Sequence, residues 1–119
     1  MKNRSIINWS IDALLFISFI LAFFLDLTGL SFHEWLGAGV ALLAGYHLLL
    51  HWAWVKSVTK RFFGKTSSQA RRYYVLDGTI LVGFIMFSVT GLVISTWFKL
   101  PLTNYITWVD VHVYSSILT

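Results

Sequence analysis

The sequence predicts an all-α integral membrane protein: a helix bundle with three full transmembrane helices, the start of a fourth, and a cytoplasmic N-terminus. Three observations carry this. Hydrophobic residues make up 57% of the chain and charged residues 12%, with a mean hydropathy of +0.72. A soluble domain carries about twice that charged share. The apolar residues run in stretches of about twenty, the length that crosses a bilayer. Six of the nine lysines and arginines cluster in residues 56–72, between two such stretches. Basic residues concentrate in cytoplasmic loops, so this segment and the N-terminus are expected inside. Only Lys99 falls on the other side.

The four spans are expected at residues 12–30, 31–55, 77–98 and 107–119, the last incomplete, within a single transmembrane domain covering residues 1–119. Lys2 and Arg4 precede the first span, with Trp9 at the interface. The span is too long for a cleavable signal and lacks a small-residue cleavage site after it, so it reads as an anchor. Asp12 is expected near the helix start, where an acid suits the positive end of the dipole. Thr28-Gly29 supplies a break suited to a helix C-terminus.

Ser31-Phe-His-Glu34 fits a capping box that opens the second span. So short a link makes the first two helices antiparallel neighbours. Residues 56–72 read as a basic, polar connector, with Phe62 and Phe63 able to rest on the headgroup layer. In the third span, Gly78, Gly83 and Gly91 allow close helix approach. Thr107-Trp-Val-Asp110 fits a second capping box. From Thr107 to Thr119 a helix covers only about 20 Å, less than the roughly 30 Å of hydrocarbon, so the fourth span is expected to be incomplete.

A weak internal repeat is visible. Asp12 precedes an apolar run to Thr28-Gly29, and Asp77 precedes one to Thr90-Gly91. Each half then caps a new helix and places a histidine in its first turns, His33 and His112.

Three of the four histidines lie in the second span. At about 100° per residue, His33 and His51 point the same way and His47 lies about 40° off. Gly37, Val40 and Ala44, small or slim, lie between them on the same face. Such a stripe fits a flat ligand held by imidazole, with haem as the first candidate. His33 and His112 fall near the outer ends of two parallel spans and form an expected axial pair. His47 lies about 21 Å further along the helix axis than His33, the spacing of a second, inner haem. Its opposite ligand would fall at position 126, beyond Thr119. His51, one turn from His47, is an interfacial helper for a propionate or a quinone headgroup.

Other readings compete. His33 and His51 near a membrane surface can be interfacial anchors, and His112 can donate to a backbone carbonyl at a helix interface. Zinc or copper at His47-x-x-x-His51 lacks further ligands at a suitable depth. A chlorin such as (bacterio)chlorophyll is another flat ligand. Asp26 and Glu34 read as caps rather than proton relays. Ser88, Thr90, Ser115 and Ser116 are expected to bond to their own helix backbone. The absence of cysteine excludes disulfides, iron–sulfur clusters and covalently attached c-type haem.

The motifs His33-Glu34-Trp35-Leu36-Gly37 and His47-Leu-Leu-Leu-His51-Trp52 resemble the di-haem, four-helix membrane cytochrome b superfamily. That superfamily includes the b-type subunits of formate dehydrogenases and nickel–iron hydrogenases, and small bacterial relatives carry these motifs. The resemblance implies haem b, one or two per chain, and electron transfer with quinone or a redox partner in the bacterial cytoplasmic membrane. Besides the bilayer, other membrane subunits are expected partners, and nucleic acid is not. An accessory subunit without haem, or carrying a chlorin, is the alternative. No nucleophile–base pair or phosphate-binding glycine loop points to an enzyme acting alone.

Overall fold

A computed structural model describes residues 2–64 and 67–119, with the side chains of residues 2–4 left out of the description. The orientation signals at Lys2, Arg4 and Lys65 therefore lie outside the described side chains. Six helices follow one another: α1 (Lys2–Phe23), α2 (Leu25–Thr28), α3 (Leu30–Leu50), α4 (Trp52–Phe62), α5 (Ser68–Ile94) and α6 (Tyr105–Leu118). No strand is present among the described residues. The chain divides into two units, Met1–His51 and Trp52–Thr119.

Ser5–Phe23 and Ser68–Ile94 are long and apolar enough to cross a membrane. A third span exists if α3 and α4 are read as one interrupted helix. Helix α6, with 14 residues, is shorter than a span. Two or three spans are thus present among the described residues, against the expected three full spans and the start of a fourth.

The surface explains the solvent. Val40 is the one buried hydrophobic residue among those described, at 5% exposure. Leu42, Leu49, Phe16, Ile106 and Leu118 stand in the open. In water such a surface would drive association. In a bilayer it is solvated by acyl chains, and the helices satisfy their own backbone groups.

In the first unit α1 and α3 pack as a hairpin through the single turn α2. Gly29 takes φ 76°, a left-handed value open to glycine, and its amide donates to the Leu25 carbonyl at 2.8 Å. The break expected at Thr28-Gly29 is where the chain reverses. The capping box is not formed as expected. The Gly29 carbonyl already accepts from the His33 amide at 3.0 Å, so α3 starts at Leu30 and Ser31 lies inside its first turn. Likewise Asn104, whose carbonyl accepts from the Trp108 amide at 3.3 Å, precedes α6, and Thr107 lies within the helix.

The second unit holds α4, α5 and α6, with α5 and α6 as its main packed pair. The basic segment is largely helical instead of a loop. Residues 56–62 continue α4, and α5 opens at Ser68. Lysine, arginine, alanine and glutamine are good helix formers, and Ser67 accepts from the Ala70 amide at 3.3 Å as the N-cap. Positive charge in this region does not break its helices. At the far end of α5, Ser95 closes the helix, and the link to α6 carries Lys99 at φ 44° and Pro101.

Replacing an N-cap serine by alanine costs about 1 kcal/mol. Ser67→Ala should therefore lower the unfolding midpoint of the micellar protein in a dodecyl sulfate titration. Ser68→Ala, which removes no cap, should leave it nearly unchanged.

Candidate cofactor site

Each unit places one histidine of its second packed helix against the backbone of the first. In the first unit His33, in the first turn of α3, sets Nδ1 3.0 Å from the Ala22 carbonyl of α1. In the second unit His112, in α6, sets Nδ1 2.8 Å from the Phe87 carbonyl of α5. A carbonyl only accepts, so each Nδ1 carries the hydrogen. For a neutral imidazole this fixes the tautomer, with the lone pair on Nε2.

The two contacts sit at matching places in the repeat. Ala22 follows Asp12 by ten residues, and Phe87 follows Asp77 by ten. The weak sequence repeat therefore has a structural counterpart: a hairpin whose second helix pins a histidine to the first. Neither carbonyl was legible beforehand. Backbone acceptors carry no side-chain signature, and only the Asp12/Asp77 offset marks their register.

The second pocket is shaped by glycine and threonine. A Cβ at Gly91 would lie 2.9 Å from His112 Cε1 and 3.2 Å from Nδ1, closer than atoms normally approach. Glycine is what lets the imidazole lie flat against α5. Thr90 is buried and donates to the Met86 carbonyl at 2.8 Å, leaving its oxygen 3.4 Å from His112 Nδ1. Ser115 and Ser116 bond to the Val111 and Val113 carbonyls at 2.6 and 2.8 Å. These hydroxyls serve the helix backbone, as expected from the sequence.

His47 has a different setting. Its Nδ1 lies 3.0 Å from Asp12 Oδ1. The contact is too misaligned to count as a hydrogen bond, so we treat the pair as an electrostatic contact. Asp12 is not at a helix start. Helix α1 begins at Lys2, which places Asp12 some three turns in. An acid so far inside cannot cap, and it lies against the imidazole of α3 instead. Sequence reasoning missed this partner because it placed the start of the first helix too late. Had the polar start been read as helix, Asp12 would have stood out as an acid inside an apolar run.

His51 stacks near His47, with ring centroids 4.7 Å apart. It also ends α3: its φ of −98° and ψ of 12° leave the helical region, and α4 begins at the next residue. The stripe that runs continuously in the sequence thus stops at His51. Gly37 has open space where a Cβ would stand, and Ala44 is half-buried. Among the described residues no group of three or more histidines, cysteines or acids is gathered closely enough to hold a bare metal ion.

Two outcomes follow for the imidazoles. In the 15N spectrum of histidine-labelled protein, His33 and His112 should both show a protonated Nδ1. Gly91→Ala should shift the His112 signals and leave those of His33 in place, because only the second imidazole meets the added methyl. Compared with known proteins, no family model, no curated protein and no solved structure matches this chain.

Proposed function

We propose that the chain is a membrane b-type cytochrome subunit, carrying electrons through haem ligated by histidine to or from quinone or a redox partner. The observation that supports it most is the paired His33–Ala22 and His112–Phe87 contact. An imidazole whose Nδ1–H is held by a carbonyl presents a basic, oriented Nε2. Iron in haem takes such a neutral nitrogen as an axial ligand. Each hairpin thus offers one histidine whose ring is oriented in this way.

The donor set fits haem better than a bare ion. Haem brings its own four equatorial nitrogens, so one or two imidazoles suffice. A structural zinc ion needs four protein ligands, and no such cluster is gathered among the described residues. Haem would supply one-electron redox chemistry at the iron, and the chain would supply the axial imidazoles, the depth and the low dielectric. His33 and His112 are the first assigned ligands. His47 is the candidate ligand of an inner haem, with Asp12 beside it to orient the ring or balance charge. His51 stands next to it as the interfacial helper, and Gly37 and Ala44 leave room on the same stripe.

The reading includes a multi-pass topology in a bacterial cytoplasmic membrane, N-terminus inside, with α1, α3 with α4, and α5 as spans and α6 as the start of a fourth. Partner membrane subunits and quinone belong to it.

Protein purified from membranes should give a reduced-minus-oxidised spectrum with b-type bands. His33→Ala and His112→Ala should each weaken the b-type signal. A preparation that reconstitutes with no haem would falsify the assignment, and extraction of a chlorin would replace it by a pigment-carrying subunit.

A further inference from the structure

The α4–α5 corner holds a second feature that electron transfer does not use. A cleft of about 100 Å³ is lined by Val58, Arg61, Phe62, Ala70, Arg71 and Tyr74. We propose that this cleft binds a phosphate-bearing anion through Arg61 and Arg71, and that its source is the headgroup of an anionic phospholipid.

The wall of the cleft is fixed before any ligand arrives. Phe62 stacks on Tyr74, with centroids 4.6 Å apart and planes 29° from parallel. The Tyr74 hydroxyl donates to Thr59 Oγ1 at 3.3 Å, and that hydroxyl in turn donates to the Val55 carbonyl at 2.8 Å. Arg71 is drawn to the connector by a 3.2 Å bond from Nη2 to the Gly64 carbonyl. One guanidinium from the end of α4 and one from the start of α5 thus share a cleft with an aromatic wall. Guanidinium groups recognise phosphate oxygens in a planar, two-pronged way that a lysine ammonium does not.

The charge around the cleft is unopposed. No acidic residue occurs between Glu34 and Asp77, while six cationic residues fall in 56–72. Among the described residues no carboxylate pairs with Arg61 or Arg71. A topology signal alone needs charge in this region. It does not need two arginines directed to one cleft beside a stacked aromatic pair.

The surroundings favour a lipid over free phosphate. On α4 the apolar residues Trp54, Val55, Val58 and Phe62 fall on one side of the helix and Lys56, Ser57 and Lys60 on the other, with Trp52 at the border beside Lys56. Trp52, Trp54 and Phe63 are exposed, Phe63 at 82%. Lys56 Nζ sits 5.9 Å over the Trp52 ring. An amphipathic helix with an apolar side, ammonium groups on the other and an indole at the border lies in the headgroup layer. There an acyl chain passes along the apolar side while its phosphate meets the arginines.

The test uses the full chain in phosphatidylcholine nanodiscs, with 1-palmitoyl-2-oleoyl-phosphatidylglycerol added in steps and retained lipid counted by native mass spectrometry. The wild-type protein should keep phosphatidylglycerol in preference to phosphatidylcholine. Each basic residue near a membrane surface contributes about a fivefold preference for anionic lipid, so R61Q/R71Q should reduce the preference by more than tenfold. R61K/R71K keeps the charge and the topology signal but loses the two-pronged donors, and should fall between the two. Lys99→Gln, remote in sequence from the corner, should match wild type. Inorganic phosphate is titrated in parallel: if it displaces phosphatidylglycerol at millimolar concentration, the occupant is free phosphate and the phosphate chemistry stands. Equal retention in R61Q/R71Q and wild type, with unchanged helix content by circular dichroism, overturns the proposal. So does equal retention of phosphatidylglycerol and phosphatidylcholine by wild type.

Discussion

A bilayer interior offers no partner for a polar group, and everything ordered in this chain answers to that. Backbone amides and carbonyls are satisfied within helices. Side-chain hydroxyls turn back on the same helices: Thr28 to Phe24, Thr59 to Val55, Thr79 to Val75, Thr90 to Met86 and Ser115 to Val111, all at 3.0 Å or less. Imidazole is harder to satisfy within one helix, because its nitrogens reach past the backbone that carries it. His33 and His112 reach across to a carbonyl of the packed neighbour. Those two contacts tie each hairpin together with a polar bond where the apolar surfaces supply little specificity.

The same bonds decide what each ring has to offer. Once Nδ1–H is committed, chemistry at these residues runs through Nε2. A helix-interface histidine and an axial ligand differ in what meets that nitrogen, not in the bond at Nδ1. The carbonyl contact, which alone is an ordinary way to satisfy a histidine at an interface, is also the orientation a haem ligand needs. Gly91 contributes by absence, since any side chain there would enter the space of the His112 ring. His47 is held differently, by the charge of Asp12 rather than by a backbone dipole. The two classes of histidine therefore differ in what meets Nδ1 as well as in position.

Much of the fold was legible. Apolar runs marked the long helices, and Thr28-Gly29 marked the reversal. Boundaries were less legible for a physical reason. Both long spans begin earlier than hydropathy indicates, because α1 takes in the polar residues before Asp12 and α5 takes in Gln69, Arg71 and Arg72. Hydropathy reads the solvent around a residue, whereas helix formation depends on backbone propensity and caps. The basic segment misleads for the same reason. The capping boxes at Ser31 and Thr107 fit the pattern, yet Gly29 and Asn104 take the cap positions, since the turn geometry fixed by the preceding chain sets where the first amide is satisfied.

The sequence by itself determined that the protein is helical, that its helices face lipid, and that its histidines gather on few faces, since these follow from composition and period. Only the tertiary structure decided which atoms meet. Ala22, Phe87 and Asp12 become partners of His33, His112 and His47 through the register of one helix against another, and that register is set by side-chain volume at contacts such as Gly91. A single helix carries no record of its neighbour's register. The features that give each imidazole its orientation therefore exist only once the hairpins are packed.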